Sequence, residues 1–581
     1  MVAFCRAVLT IALMLLIPFA LAEEGFRDFY AEPGHRPENL VPSDDPSESI
    51  DLFSGNVQRQ YVDLSIPGNG GLDIDVRRFY NLPQSAPSFQ NPYGYGWTMH
   101  FGRISAPSGA QMLCDMGPIA NGDTKNNPTI EFPTGGRELL VHSKRLGDGT
   151  FITQSNWKVE CVNPLDYQDG LIAFAPDGTR YFMRERAFIQ GEEGPAGQSA
   201  PIVETFLTDR IEDTYGNWLS FTYLELQNGM KILTQIDAKD LRTVTYSYEN
   251  ASGQPASGAD INVRLAEISA NGQVWKYHHQ TSVAGAGDGW GAVQQYQLSA
   301  VERPDGEQWS YEYGTGAGSA SVGRLTRVVT PSGGEVNYTH QWIQPYLPNP
   351  DFRISAIQSK QKSTPGGASG TWTYQFNPGA VDISTLHSTW SGQSGRMVDE
   401  TVVTTPDGSE KAYHIGYWAS VGRNGSLFQI GHRVKHDLFN GSDTSPVRSE
   451  IHASTYRVIS DQVFKSGLLT ALSDSEVRIV TNRYTLVVVD GAQTYESYRH
   501  DVFGNLTTLW ERRTLWRDGD DSRYTLYDYI NDTTNWFIGL REQDYITENF
   551  ATAGFIDRTF NSHGKLASET VLGVTTDYTY T

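Results

Sequence analysis

From Ile50 onward the chain alternates apolar and polar positions in short runs that are separated by Gly, Pro and Asn. T-V-T-Y-S-Y at residues 243–248 and W-S-Y-E-Y at residues 309–313 place an aromatic ring at every second position. Period-two alternation bounded by turn residues is typical of β-strands with one buried face. The pattern therefore predicts a chain built from many short strands and tight turns.

Part of this pattern is a repeat. Four segments start with a leucine, carry an aliphatic residue three positions later, and continue through a turn into a second run that contains tyrosine. Self-similarity with a period of roughly 20–50 residues indicates a repetitive architecture. Each copy is interpreted as strand, turn and strand, which is a β-hairpin. The starting leucines are Leu233, Leu265, Leu298 and Leu325.

The second strands carry aromatic residues two positions apart. Side chains with this spacing share one face of a strand, so neighbouring hairpins would align the rings into a ladder. Two interpretations stay open: rings that pack within the sheet, and a platform on which sugars stack. The ladder residues are Trp275, Tyr277, Trp309, Tyr311, Tyr313 and Tyr338.

Composition narrows the class. The chain has 30 Tyr, 25 Phe and 13 Trp, too much apolar surface for a disordered protein. Its 57 Gly and 27 Pro argue against long helices. The net charge is −22 and no basic stripe stands out, so we expect no nucleic-acid partner.

The N-terminus has the features of a secretory signal peptide. Arg6 precedes an apolar run over residues 7–21, and Ala20 and Ala22 form a small-residue cleavage site. The run is too short for a membrane-spanning helix, and no later segment is apolar enough to be one. We expect cleavage after Ala22 and a secreted, periplasmic or cell-surface protein, with residues 23–49 as a linker or strap.

Cleavage would leave two cysteines, Cys114 and Cys161. In an exported protein such a pair predicts a disulfide, and two buried free thiols are the alternative.

Several motifs resemble those of the bacterial RHS proteins, whose hallmark is the tyrosine–aspartate (YD) repeat. D-L-F-S-G-N at 51–56, R-R-F-Y-N at 77–81 and Y-G-Y-G-W at 93–97 resemble the domain that opens many of these proteins. Y-R-H-D-V-F-G-N-L-T at 498–507 is similar to the repeat unit, and T-N-W-F-I-G-L at 534–540 to another recurring segment.

The resemblance implies an all-β fold in which repeated hairpins form one large, continuous, curved or spiralling antiparallel sheet. It also implies a division into an N-terminal RHS-associated β domain (50–200), YD-like repeats (201–345), divergent β repeats (346–490) and further YD repeats (491–581). In the family such sheets form hollow shells around a toxin polypeptide. No segment resembles the family's self-cleaving core motif, and residue 581 lies inside repeat-like sequence. We expect a fragment of a longer protein or a short member that needs a partner.

No catalytic or cofactor-binding motif is present, and no residue is predicted to be catalytic or to bind a metal or cofactor. His432 and His436 are four residues apart, but the residues between them are cationic or apolar, so a solvated segment is expected. His278 and His279 would point to opposite faces of a strand. The remaining weak candidates are interpreted as a solvated turn (Asp518, Asp520 and Asp521) and flexible glycine-rich loops (285–291 and 314–318).

The sequence therefore favours a non-catalytic, exported β-shell segment associated with toxin encapsulation or delivery, or with contacts at a cell surface. The expected partner is an enclosed toxin polypeptide or a second shell component. One alternative is a carbohydrate-binding surface module, whose partner would be a cell-surface glycan. The other is a glycoside hydrolase, which only the abundance of carboxylates suggests.

Overall fold

The structure is a computed structural model of the chain, and it describes residues 40–42, 45–82, 91–107, 128–142, 150–163, 169–190, 202–284, 293–316, 318–344, 353–367, 369–416, 431–441, 443–460, 477–514, 521–548 and 551–580. Within these ranges the regular structure is β-strand apart from three short 3₁₀ helices, Asn69–Gly71, Ile383–Thr385 and Ser388–Gln393. No helix in this part of the chain is long and apolar enough to cross a membrane.

The strands, in chain order, are β1 (Leu40–Pro42), β2 (Glu48–Asp51), β3 (Val57–Ile66), β4 (Ile74–Asn81), β5 (Trp97–Thr98), β6 (Arg103–Pro107), β7 (Thr129–Glu131), β8 (Arg137–Leu139), β9 (Val141–His142), β10 (Thr150–Ile152), β11 (Lys158–Cys161), β12 (Leu171–Phe174), β13 (Arg180–Met183), β14 (Glu185–Gln190), β15 (Ile202–Leu207), β16 (Arg210–Glu212), β17 (Trp218–Glu225), β18 (Lys231–Ala238), β19 (Thr243–Asn250), β20 (Val263–Ala270), β21 (Gln273–Ala284), β22 (Val293–Glu302), β23 (Gln308–Tyr313), β24 (Leu325–Val329), β25 (Glu335–Ile343), β26 (Ile354–Ser363), β27 (Ser369–Asp382), β28 (Met397–Thr405), β29 (Gly408–His414), β30 (Arg433–Asn440), β31 (Arg448–Ser460), β32 (Val477–Val489), β33 (Ala492–His500), β34 (Leu506–Thr514), β35 (Asp521–Asp532), β36 (Phe537–Glu548), β37 (Ala551–Phe560), β38 (Leu566–Val571) and β39 (Val574–Asp577).

These strands form three sheets. β1 to β5 pair in chain order as a small sheet, which we call the inner sheet. A second small sheet has the order β14-β15-β6-β7-β8. All other strands, β9 to β13 and β16 to β39, form one continuous antiparallel sheet, which we call the wall. The predicted all-β fold with a large continuous sheet is confirmed.

The predicted repeats are hairpins of the wall. The leucine of each copy lies in the first strand and the tyrosine in the second, in the pairs β18–β19, β20–β21, β22–β23 and β24–β25. Each turn carries a residue with positive φ; in the third copy it is Gly306, at 86°. Glycine adopts this conformation without strain.

A recurring β-bulge explains why two aliphatic residues three positions apart are both buried. Tyr313 pairs with Leu325 and Glu312 with Arg327, so Thr326 between the two partners is an extra residue. A bulge adds one residue to a strand, so residues three positions apart across it can lie on the same face. Leu325 and Val328 are therefore both buried. The same extra residue occurs in the neighbouring copies.

The wall curves until its late hairpin turns meet its early ones. The Asn156 side-chain amide donates to the Phe503 carbonyl at 2.8 Å, and the Ile538 backbone amide donates to the Pro176 carbonyl at 2.8 Å. The His563 ring stacks on Tyr215 at 4.2 Å. Three turns of β33 to β38 thus abut three turns of β10 to β17, so the wall curves back on itself and is not flat.

The largest core lies between the inner sheet and the wall. It combines inner-sheet residues such as Ile74 and Trp97 with wall residues from β16 to β29. The segment interpreted as a strap enters this assembly, because Leu40–Pro42 pairs with Glu48–Asp51. We call the wall face that contacts the inner sheet the inner face, and the opposite one the outer face.

Candidate functional site

The aromatic ladder lies on the inner face of the wall and is covered by the inner sheet. Tyr277, Tyr311 and Tyr338 are all at most 5% exposed, and Trp275 and Tyr313 are also buried. Trp309 is half-buried and packs against the same core. Rings covered in this way offer no stacking surface to a sugar. The observation that motivated carbohydrate binding by this ladder is therefore lost, and packing accounts for the pattern.

Arg78 of β4 joins two repeats to the inner sheet. Its guanidinium forms a two-pronged ion pair with Asp63, at 2.9 and 3.0 Å, and donates to the Tyr311 hydroxyl at 2.7 Å. The Tyr277 hydroxyl donates to the same Asp63 carboxylate at 2.8 Å. Tyr61 lies 4.6 Å from the guanidinium, within cation–π range. Tyrosines of two neighbouring repeats thus meet one buried ion pair.

The charges of this cluster reinforce one another. Burial alone would lower the pKa of Arg78, but Asp63 and Tyr311 hold that pKa well above its usual range. Burial raises the pKa of Tyr311, so its hydroxyl stays protonated. The ion pair itself lies within the inner sheet, and the wall supplies the two tyrosine hydroxyls that complete its hydrogen bonds. The cluster is therefore fully hydrogen-bonded only when both sheets are in register.

Arg59 of β3 forms a second cluster with the next repeat. It donates to Glu48 and to Asp45, both at 2.9 Å, and to the Tyr338 hydroxyl at 2.6 Å. Lys360 of the wall donates to the other oxygen of Glu48 at 2.7 Å. Burial alone would raise the pKa of Glu48, but Arg59 and Lys360 hold it below its usual range. Glu48 thus binds cations from both sheets.

Backbone contacts complete the interface. The D-L-F-S-G-N motif forms the turn between β2 and β3, and the carbonyl of its Gly55 accepts from the Ile357 amide at 2.8 Å. Gly55 has a φ of 70°, and a Cβ there would lie 2.4 Å from the Ala356 side chain. The Tyr95 amide of the Y-G-Y-G-W motif donates to the Tyr296 carbonyl at 2.9 Å. Both quoted motifs are therefore docking elements.

The C-terminal part of the wall is different. Directly paired residues share a face, so the pairing from Tyr338 through β26 to β35 can be followed strand by strand. It places Glu496, Glu511 and Arg523 on the inner face. These side chains are polar and partly or well exposed, and no strand of the inner sheet pairs or bonds with them in the described part of the chain.

The outer face of the same strands carries a row of aromatic rings that sequence reasoning missed. Tyr484, Tyr495, Trp510 and Tyr524 follow one another across β32 to β35 with ring centroids 5.3 to 5.6 Å apart. Trp510 and Tyr524 are stacked on each other. No period-two spacing marks this row in the sequence, because the two tyrosines of β33, Tyr495 and Tyr498, are three positions apart and only Tyr495 belongs to the row.

The weak metal candidates are not brought together. No group of three or more His, Cys, Asp or Glu in the described ranges is arranged to hold a metal ion. His278 is exposed and His279 is half-buried. The expectation of a solvated segment is wrong for His432, which is 6% exposed because it packs inside the wall, while His436 pairs with Glu410.

The other sequence candidates are partly outside the described residues. Cys161 of β11 is disulfide-bonded, whereas Cys114 lies outside the described residues, and so the pairing of the two stays a prediction. Asp518, Asp520 and residues 285–291 also lie largely or wholly outside them, and Asp521 begins β35. Residues 314–316 and 318 lie in the connection between β23 and β24.

The fold resembles solved toxin-complex structures. One match is a crystal structure of TcdB2-TccC3-TEV, with a TM-score of 0.54 and 8% identity, covering 92% of this chain and 49% of the other. A crystal structure of TcdB2-TccC3 matches with a TM-score of 0.53 and 8% identity, covering 92% of this chain and 50% of the other. The Tc holotoxin pore of Photorhabdus luminescens, with a mutant TccC3, matches with a TM-score of 0.51 and 9% identity, covering 89% of this chain and 48% of the other.

At such identities the similarity shows the fold alone, and this chain spans about half the length of the chains it matches. No family model and no curated protein matches the sequence.

Proposed function

We propose that this chain is a non-catalytic wall segment of an RHS-type shell that encloses a toxin polypeptide. The observation that carries the proposal is the continuous curved wall, whose inner face is covered by the chain's own inner sheet on one part and carries charged side chains such as Glu496 and Arg523 on the other. The fold similarity to TcdB2-TccC3 supports it, as does the resemblance of several sequence motifs to those of the RHS proteins.

The covered part would make the wall rigid. The Arg59 and Arg78 clusters tie β3 and β4 to repeats that lie more than 200 residues later in the chain. A single sheet has no core of its own, and burying one face against a second layer is how sheets become stable. The inner sheet thus stabilises the wall from within.

The part of the inner face on β33 to β35 would face the cargo. Its side chains include Glu496, Glu511 and Arg523, and Arg523 lies near Glu511 at 3.7 Å. These charges interrupt the apolar side chains of the same face, such as Leu509, so an unfolded polypeptide meets less contiguous apolar area, which is what drives nonspecific association. Such a lining would hold a cargo without trapping it.

Export through the predicted signal peptide belongs to the same proposal, with a secreted, periplasmic or cell-surface location. The partner would be the enclosed polypeptide or a second shell component that completes the wall. Neither alternative is favoured by a specific feature: the buried ladder offers sugars no platform, and no pair of carboxylates in the described ranges stands out as a glycosidase pair.

The test is to coexpress the chain with the reading frame that follows or continues it, and to image the purified particle by electron cryomicroscopy. We expect a hollow particle that contains a polypeptide resistant to trypsin until the particle is unfolded with urea. A solid particle, or a coexpressed polypeptide that trypsin degrades at the rate of the free polypeptide, would contradict the proposal. A stable chain that encloses no coexpressed polypeptide would also contradict the proposal and would indicate a role at the cell surface instead.

A further inference from the structure

One docking contact between the inner sheet and the wall lies among histidines. The turn between β2 and β3 presents Phe53, which is 7% exposed, to the wall. Its ring lies 5.7 Å from the ring of His414, the last residue of β29. The adjacent Leu52 carbonyl accepts from the Thr401 hydroxyl at 2.6 Å. We call this turn, residues 51–56, the latch turn.

His414 is buried without compensation. It is 1% exposed, and neither of its ring nitrogens has a hydrogen-bond partner. A buried polar group without a partner costs free energy, and a charge in the same place would cost far more. The site therefore accepts the neutral imidazole and opposes the imidazolium.

Three more histidines and an arginine surround the same region. Arg433 is the direct pairing partner of His414, and His432 precedes it. His452 accepts from or donates to the Thr485 hydroxyl at 3.1 Å. His436 pairs with Glu410 at 2.9 Å. Protonation would thus add positive charge beside a permanent cation.

Four acids face this cluster, and none of them forms a hydrogen bond with the His414 ring. From β29, Glu410 pairs with His436. From β31, Glu450 forms an ion pair with Arg448 at 2.6 Å and lies 3.8 Å from His452. From β28, Asp399 is the pairing partner of His414 and accepts from the Gly379 amide at 2.7 Å. From the latch turn itself, Asp51 accepts from the Phe53 amide at 2.8 Å.

We propose that the latch turn and this histidine cluster form an acid-releasable latch between the inner sheet and the wall. At pH 7.5 the His414 imidazole is neutral and Phe53 stays docked. In acid, protonation of His414 is favoured only when the latch turn moves away and admits water, so the docked state is released. The proposal concerns regulation of this contact and does not depend on whether the shell encloses a toxin.

The direction of the effect follows from proton linkage. Burial, together with Arg433, holds the pKa of His414 well below its usual range, and burial lowers the pKa of His452 to about 4. In the released state, where water reaches the ring, His414 would titrate near its ordinary value of about 6.5. The released state therefore binds more protons as pH falls below that value, so the docked state loses stability there. For one such histidine the shift in the equilibrium between pH 7.5 and 5.0 is about thirtyfold.

The test is hydrogen exchange by mass spectrometry on the full chain between pH 7.5 and 5.0, with rates corrected for the intrinsic pH dependence of exchange. The reporter is the Ile357 amide, which donates to the Gly55 carbonyl of the latch turn. We expect its protection to fall at least tenfold at pH 5.0. The amides of β18 and β19, which lie far from the cluster in the wall, are the internal control and should change less than threefold.

Two variants separate the latch from general acid unfolding. His414→Phe keeps an aromatic ring against Phe53 but has no group to protonate, so Ile357 protection should become nearly independent of pH. If His414→Phe fails to fold at pH 7.5 by circular dichroism, His414→Gln, which also has no group that protonates in this pH range, is the second variant and should reduce the pH effect at least threefold. Unchanged Ile357 protection in the parent protein at pH 5.0 would overturn the proposal, as would an undiminished pH effect in the folded variant.

Discussion

Two parts of one sheet have opposite relations to water. In β16 to β29 the inner face is apolar and aromatic, and the inner sheet covers it. In β32 to β37 the inner face mixes charged side chains such as Glu496 with apolar ones such as Val487. The outer face carries apolar side chains, of which Leu526, Tyr545 and Phe555 are 40 to 45% exposed. Both parts consist of the same antiparallel hairpins. The repeated hairpin therefore determines the backbone structure of the wall, while the side chains on each face determine what that face packs against.

The largest expected difference between the two faces concerns arginines. Arg78→Met removes a fully buried cation and leaves Asp63 unpaired, which should cost about 3–5 kcal/mol of the free energy of unfolding. Arg327→Met on the outer face breaks partly exposed ion pairs with Glu312 and Glu335 and should cost about 0–1 kcal/mol. Urea unfolding followed by tryptophan fluorescence measures both. Equal losses would mean that the inner interface is not dry.

Glycines at the two locations should differ next. Gly55→Ala places a Cβ in a left-handed conformation and against Ala356, so strain and overpacking together should cost about 3 kcal/mol. Gly573→Ala, in the turn before β39, has a similar φ of 82° but no atom within 4 Å of the added Cβ. It should cost about 1 kcal/mol. Thermal unfolding compares the variants, and a smaller shift for Gly55→Ala than for Gly573→Ala would show that the latch turn is not docked.

Tyrosine hydroxyls should show a contrast about as large as that of the glycines. Tyr311→Phe deprives the Arg78 guanidinium of an acceptor and should cost about 1.5–3 kcal/mol, the range for hydrogen bonds to charged groups. Tyr524→Phe on the outer row keeps its stack with Trp510 and should stay within about 0.5 kcal/mol of the parent. The same urea titrations measure both variants. An unchanged free energy of unfolding for Tyr311→Phe would mean that the repeats do not contribute to the Arg78 cluster.

The strands and turns of the repeats could be predicted from the sequence. Alternation around Tyr311 and the turn at Gly306 identified a hairpin, because both signals come from neighbouring residues. The spacing of Leu325 and Val328 was recognised as a repeat but not as a bulge, since one residue out of step is invisible without the pairing partner. The rings were assigned to packing or to sugars, and only the structure shows what covers them.

The contacts between the inner sheet and the wall could not be predicted from local sequence patterns. Nothing near Arg59 in the sequence indicates Tyr338 or Lys360 as partners, because the fold brings together positions far apart in the chain. A hint was present: Arg59, Tyr61 and Asp63 alternate on one face of β3, where a buried strand would ordinarily carry apolar residues. Charged residues at the alternating positions that would normally be buried indicate a strand whose buried face contacts polar groups from distant parts of the chain.

The central claim is that the inner sheet is docked inside the wall, and a double-mutant cycle across that interface tests it most directly. Glu48 and Lys360 are both buried, lie in different sheets and approach to 2.7 Å. Glu48→Gln, Lys360→Met and the double variant are compared with the parent protein by urea unfolding. Our account predicts a coupling free energy of about 2 kcal/mol between the two sites. Single-variant effects that add to within about 0.5 kcal/mol would contradict it, because uncoupled residues do not share an interface.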